Sequence, residues 1–197
     1  MNLNEKDLND LFVTGKYKDT PLFREELLMV SGRDLSNYIV FDLETTGLSG
    51  YAEIIEIGAL KIRESRVVES FNTLVKPVNG IPAEASAING ITNAMVRKSP
   101  SIEYILPYFF SFAADDLVVG HNIVRFDLPF IRRFAGDEGA LFARNYIDTL
   151  VLAREKLPHL GRYSLSTLCE YFGIDPQSQH RALGDCYSTN ECFRRLI

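Results

Sequence analysis

The chain has 197 residues, 46% hydrophobic and 24% charged, with a net charge of −5, which suits one domain with an appendage rather than a protein that coats long duplexes electrostatically. Its longest strongly apolar stretch, residues 102–114, is interrupted by Glu103, Pro107 and Ser111, so no membrane span is predicted. The polar start MNLNEKDLND is not a secretory signal, and Cys169, Cys186 and Cys192 form no C-x-x-C pair, so reduced thiols and a cytoplasmic location are expected.

Residues 1–36 differ from the rest. LNDLF and PLFREELLMV, separated by polar pieces, predict short amphipathic helices forming an N-terminal extension. Residues 37–197 read as the main domain. YIVFDLE is a buried strand, and EIIEIGALKIR with RVVESFNTLVKP reads as a hairpin turning at Glu64-Ser65. PVNGIPAEASAINGIT is a loop with a helical turn. Ser99-Pro100 is expected to start a helix that Pro107 kinks. LVVGHN is a fourth strand running into a helix from near Val124, and YIDTLVLA a short fifth strand entering another. Ser164 is a cap for a helix with Leu165, Leu168, Cys169 and Phe172 on one face, ended by Gly173. The last helix begins near Arg181. Three meandering strands followed by alternating helices and strands predict an α/β fold, a mixed sheet with helices on both faces.

Four carboxylates and one histidine carry the chemistry. In FDLETTGL, Asp42 and Glu44 lie two apart on a strand, so their side chains share one face. Thr45, Thr46 and Gly47 then allow a tight turn whose N–H groups can approach a ligand. HNIVRFDLPF supplies Asp127, flanked by Phe126 and Phe130, with His121 and Asn122 as hydrogen-bonding braces. HRALGDC places His180 five residues before Asp185, and histidine suits a general base because it titrates near neutrality. Taken singly, each motif also fits a structural role, such as a solvated strand end or a surface histidine. Gathered together, the carboxylates would raise one another's pKa, and hard divalent cations with oxygen ligands, Mg²⁺ or Mn²⁺, relieve that. Two such ions roughly 4 Å apart serve in-line displacement at phosphorus.

With Asp-x-Glu, Asp and His-x4-Asp in that order, the chain resembles the DEDDh family of 3′→5′ exonucleases over residues 37–197. Within the family it is most similar to the proofreading exonuclease of bacterial DNA polymerase III, as epsilon subunit or as a domain of the Gram-positive polymerase. AEASAINGIT and YSLSTLCEYFGI add to the likeness. The four residues between Asn122 and Asp127, where the bacterial pattern has three, with Pro129 following, look instead like the three-prime repair exonucleases.

The resemblance implies a ribonuclease H-like five-stranded sheet and a two-metal site. Asp42, Glu44 and Asp185 would hold metal directly, Asp42 bridging both ions, and Asp127 would bind one directly or through water. His180 would deprotonate the attacking water. The backbone of Thr45, Thr46 and Gly47 would meet the terminal 3′-OH, while Leu48, Ile88 and Phe126 would touch the last bases or sugars. The implied substrate is the 3′ end of a single-stranded or frayed nucleic acid, DNA ahead of RNA; RNA trimming is the alternative within the family, because RNA-trimming relatives share every catalytic residue. A further possibility, outside the part the resemblance covers, is recruitment to a polymerase or sliding clamp through residues 1–36. The alternative from another class is a nucleic-acid-binding scaffold without turnover.

Overall fold

The computed structural model describes residues 35–142, 145–175 and 180–197. The helices expected within residues 1–34 lie outside these.

Strands β1 (Tyr38–Thr45), β2 (Ile54–Arg63) and β3 (Arg66–Leu74) form an antiparallel meander. Glu64 and Ser65 join β2 to β3 with φ of 50° and 60°, the doubly positive φ that a two-residue hairpin turn of right-handed twist requires. Short strands β4 (Val118–Gly120) and β5 (Tyr146–Asp148) continue the sheet in parallel on the other side of β1, giving the order β3-β2-β1-β4-β5. β1 is therefore the central strand, which accounts for its nearly unbroken apolar run.

Between β3 and β4 lie α1 (Ala83–Asn89), α2 (Asn93–Val96) and α3 (Ile102–Ala113). The sequence places the start of α3 at Ser99-Pro100, but the helix begins after Ser101. The Pro100 carbonyl instead accepts the Lys76 N–H at 2.9 Å, which ties that residue to the chain leaving β3. Pro107 sits inside α3 without ending it. Helix α4 (Asp127–Phe142) bends at Gly136 (φ 54°), and begins three residues later than expected because residues 122–126 form a tight turn with Asn122 at φ 62°. α5 (Thr149–Lys156), α6 (Leu165–Phe172) and α7 (Ala182–Leu196) complete the domain. As expected, the Ser164 hydroxyl caps α6, accepting the Thr167 N–H at 3.2 Å, and Gly173 closes it with a left-handed φ of 64°.

The alternation of β1 decides what each face of the sheet receives. Ile39, Phe41 and Leu43 enter the main core with Ile105, Leu106 and Phe109 of α3 and Leu128 and Ile131 of α4. Tyr38 faces the opposite way, its ring edge-on to Phe193 of α7 at 5.1 Å and its hydroxyl donating to Asn190 Oδ1 at 2.8 Å. Helices thus cover both faces, and Asp42 and Glu44 fall on the side that α7 covers. Among the described residues, no helix is long and apolar enough to cross a membrane.

Candidate active site

At the end of β1 the pairing with β2 slips between Glu44 and Thr45, a bulge that ends the ladder just beyond the two acids. Asp42 and Glu44 point from this strand towards α7, whose first turn carries Asp185. One carboxylate oxygen from each of Asp42, Glu44 and Asp185 lies within 4.8 Å of the other two. Residues far apart in sequence meet there through only two elements, because β1 is central and α7 lies across it.

Asp127 reaches the same region from the first residue of α4. It is 1% exposed, and its Oδ1 accepts the Leu43 N–H at 3.0 Å, between the two acids of β1. It stands outside the close trio but is electrically part of it. Burial first, then the charges of Asp127, Asp185 and Glu44, push Asp42 well above the usual carboxylate range. Burial likewise raises Asp127, against the pull of backbone N–H groups. Glu44 is pushed up to about 7 by burial and by Asp185, with a hydrogen bond from Asn89 opposing. Asp185 rises to about 6 through burial, opposed by His180. Like charges crowded out of water favour protons or cations, and an all-oxygen donor set of this kind fits hard divalent ions.

His180 is exposed, with a positive φ of 60°, and lies immediately before α7. With Asp42 and Asp185 it lines one cavity of about 300 Å³, which also takes in His121, Ser164 and Ser188. His121 is held through Nδ1 to the Thr149 hydroxyl at 2.9 Å, and burial lowers its pKa to about 4, so its ring is neutral. Asn122 donates its backbone N–H to Asp148 at 2.8 Å. Both therefore act as braces.

The turn after β1 is built from its own side chains. Thr45 donates its hydroxyl to the Gly47 carbonyl at 2.7 Å. The Thr46 hydroxyl accepts the Glu53 N–H at 2.9 Å while its own N–H donates to the Glu53 carbonyl at 2.8 Å. Glu53 in turn accepts from the N–H groups of Val78 and Asn79 at 2.6 and 2.9 Å, fastening a second loop beside the first. On these loops and α1, Leu48 is 88% and Ile88 65% exposed, apolar surface left without protein cover. Phe126 is half-buried, its ring 5.1 Å from Phe130.

Three supporting residues carry no local signature that reveals their role. Asn89 is buried, hydrogen-bonds Glu44, and accepts the Ile91 N–H at 3.0 Å. Asp148, 3% exposed, holds the turn before α4 through the N–H groups of Asn122 and Val124 at 2.8 and 3.2 Å. Glu56, 1% exposed, pairs with Arg181. The one hint in the sequence is a lone acid inside the otherwise apolar run IIEIGAL, which calls for a buried partner without naming it.

Comparison with known proteins gives a consistent result. The family model described as exonuclease matches residues 39–193. The chain is 40% identical over 192 residues to the PolC-type DNA polymerase III of Thermotoga maritima, an alignment that takes in 90% of this chain but 14% of that protein. It is 38% identical over 162 residues to the DNA polymerase III subunit epsilon of Aquifex aeolicus, covering 81% of this chain and 80% of that one. Among solved structures, exonuclease X in complex with 5′-overhanging duplex DNA superposes with a TM-score of 0.66 at 31% identity, over 81% of this chain and 90% of that one. Exonuclease I shares the fold, with a TM-score of 0.72 at 20% identity over 82% of this chain and 40% of that one.

Proposed function

Because the chain belongs to the exonuclease family, we propose that it is a metal-dependent 3′→5′ exonuclease. It would trim single-stranded or frayed DNA ends to nucleoside 5′-monophosphates, in replication proofreading or repair. The observation that carries this reading is the approach of Asp42, Glu44 and Asp185 oxygens within 4.8 Å of one another, at a cavity that Asp42, Asp185 and His180 line.

Asp42, Glu44 and Asp185 would hold two Mg²⁺ or Mn²⁺ ions, with Asp127 on one of them directly or through water. When bound, such ions acidify a coordinated water and neutralise charge building on phosphorus. His180 takes the proton from the attacking water; its exposure leaves it a route to pass that proton to solvent. The backbone of Thr45, Thr46 and Gly47, fixed by the hydrogen bonds to Glu53, receives the 3′-OH and so defines the terminal nucleotide. Leu48, Ile88 and Phe126 contact the last bases or sugars. Apolar contact of this kind is sequence-tolerant, and it favours unpaired ends because a stacked base pair would have to open first.

The PolC-type relative is several times longer than this chain, and association with a polymerase or clamp through residues 1–36 belongs to the same proposal. Deletion of residues 1–36 is expected to leave trimming rates unchanged and to abolish capture of the polymerase or clamp.

The direct test offers matched DNA and RNA oligomers, labelled at the 5′ end, to the full chain with Mg²⁺, Mn²⁺ or chelator. Stepwise shortening from the 3′ end, faster on DNA and absent with chelator, is the expected result. Faster trimming of RNA would move the substrate to the RNA-processing branch, and no metal-stimulated trimming of either would leave a binding scaffold.

A further inference from the structure

We infer that the buried Glu56 and the half-buried Arg181 form a latch that positions His180, a role that rests on the reading of His180 as general base. The pair register of the sheet places it. Across the β1–β2 ladder, Glu44 pairs with Glu56 and Asp42 with Gly58, so the two β2 positions beside the acids of β1 are a carboxylate and a glycine. Both receive the start of α7. Gly58 lets the α7 backbone lie directly on the strand: a Cβ there would stand 2.4 Å from the Ala182 carbonyl carbon and the Leu183 nitrogen. Glu56, 1% exposed, binds the side chain of the cap residue Arg181 and the first backbone N–H of the helix after it. Its Oε2 accepts Arg181 Nε and the Ala182 N–H, each at 3.0 Å, and its Oε1 accepts Arg181 Nη2 at 2.5 Å.

Geometry then dictates the consequence for the neighbouring residue. A two-pronged guanidinium–carboxylate pair fixes direction as well as distance, and here a backbone N–H adds a third point of attachment. Arg181 is the N-cap of α7, and its carbonyl accepts the Asp185 N–H at 3.0 Å. One buried carboxylate thus sets where α7 starts and where the chain must pass at His180. His180 itself is exposed and holds a left-handed φ of 60°, a conformation a non-glycine residue keeps only when its surroundings impose it. Among the described residues, the Asp185 carboxylate accepts the His180 backbone N–H, and the two residues that follow, Arg181 and Ala182, are tied to Glu56. The same pairing removes Glu56 from competition for cations: the guanidinium neutralises a fifth carboxylate placed next to Glu44.

The test is a comparison in two backgrounds. Glu56→Gln, Arg181→Met and Arg181→Lys are made in the full chain and again in His180→Ala. Partners that orient a catalytic shell typically matter about 10–100-fold, so Glu56→Gln and Arg181→Met should lower kcat by that order with KM within about threefold. Arg181→Lys keeps the charge without the fork and should fall between. In the His180→Ala background the same substitutions should cost no further kcat, because the group they position is gone. Mn²⁺ affinity by calorimetry should change less than about threefold, and thermal melts identify any variant that fails to fold; the isosteric Glu56→Gln is the safeguard there.

Equal losses with and without His180 would overturn the latch and make the pair a fold brace. So would loss of Mn²⁺ binding with kcat preserved at saturating metal. A wild-type chain without metal-stimulated trimming, by contrast, would refute the exonuclease reading itself.

Discussion

At the end of β5, Asp148 is buried but surrounded by donors: the N–H groups of Asn122, Val124 and Leu150 all reach it within 3.2 Å. Two strands away, Asp42 stands among Glu44, Asp127 and Asp185, groups of its own sign. Glu56 belongs with Asp148, since Arg181 and Ala182 saturate its oxygens. The two sets share residue type and differ in partners and in access, since Asp148 and Glu56 are buried whereas Asp42, Glu44 and Asp185 are half-buried. Compensated carboxylates hold the fold together; the uncompensated ones keep an unmet demand for positive charge, which is the condition for binding a metal.

That contrast is open to direct challenge. The largest effect is expected from Asp42→Asn, which should cut trimming by about 10⁴-fold or more. It should also stabilise the metal-free protein by about 1 kcal/mol in chemical denaturation, because relieving charge strain at a functional site commonly gains stability. A metal-free protein destabilised by Asp42→Asn would place Asp42 with Asp148 instead. His180→Ala should lower kcat by about 10²–10³-fold, as loss of a general base does, while calorimetry shows Mn²⁺ binding retained. Lost Mn²⁺ binding would make His180 a ligand.

Asp148→Ala should behave as the opposite of Asp42→Asn. It strands three part-buried N–H donors and should cost about 3 kcal/mol of stability. A melting temperature unchanged by that substitution would dissolve the distinction between the two sets.

The pH dependence sharpens it further. Glu44 and Asp185 are raised from 4.5 and 3.8 to about 7 and about 6, so between those limits the folded chain binds more protons than the unfolded one. Stability of the metal-free protein from these groups therefore falls as pH rises through that window. Mg²⁺ or Mn²⁺, which binds the ionised forms, should raise the melting temperature more at pH 8 than at pH 5. A metal-induced shift independent of pH would contradict the raised carboxylates. The smallest effect is expected at the rim: Leu48→Ala should raise KM for single-stranded DNA by about 1 kcal/mol, roughly fivefold, and spare kcat.

The residues of the candidate site are legible in the sequence because their signals are local. Asp42 and Glu44 share a face by the two-residue period of a strand, and His180 and Asp185 sit before and within the first turn of one helix. The hairpin at Glu64-Ser65 and the caps at Ser164 and Gly173 are equally readable, since turn and cap chemistry involves only neighbours along the chain. The starts of α3 and α4 fall a few residues from where local pattern puts them for the converse reason: Lys76 and Asp148 claim Pro100, Asn122 and Val124 from outside their own segments.

What the sequence alone determined is the inventory: which acids lie near which histidine along the chain, and on which face of β1 two of them fall. Only the tertiary structure decided which carboxylates find partners. Glu56 and Arg181 are far apart in sequence, as are Asp148 and Asn122, and nothing in either local pattern names the other. Periodicity is a property of backbone geometry within one element. The charge state and role of a buried acid depend on what the fold brings within hydrogen-bonding distance of it.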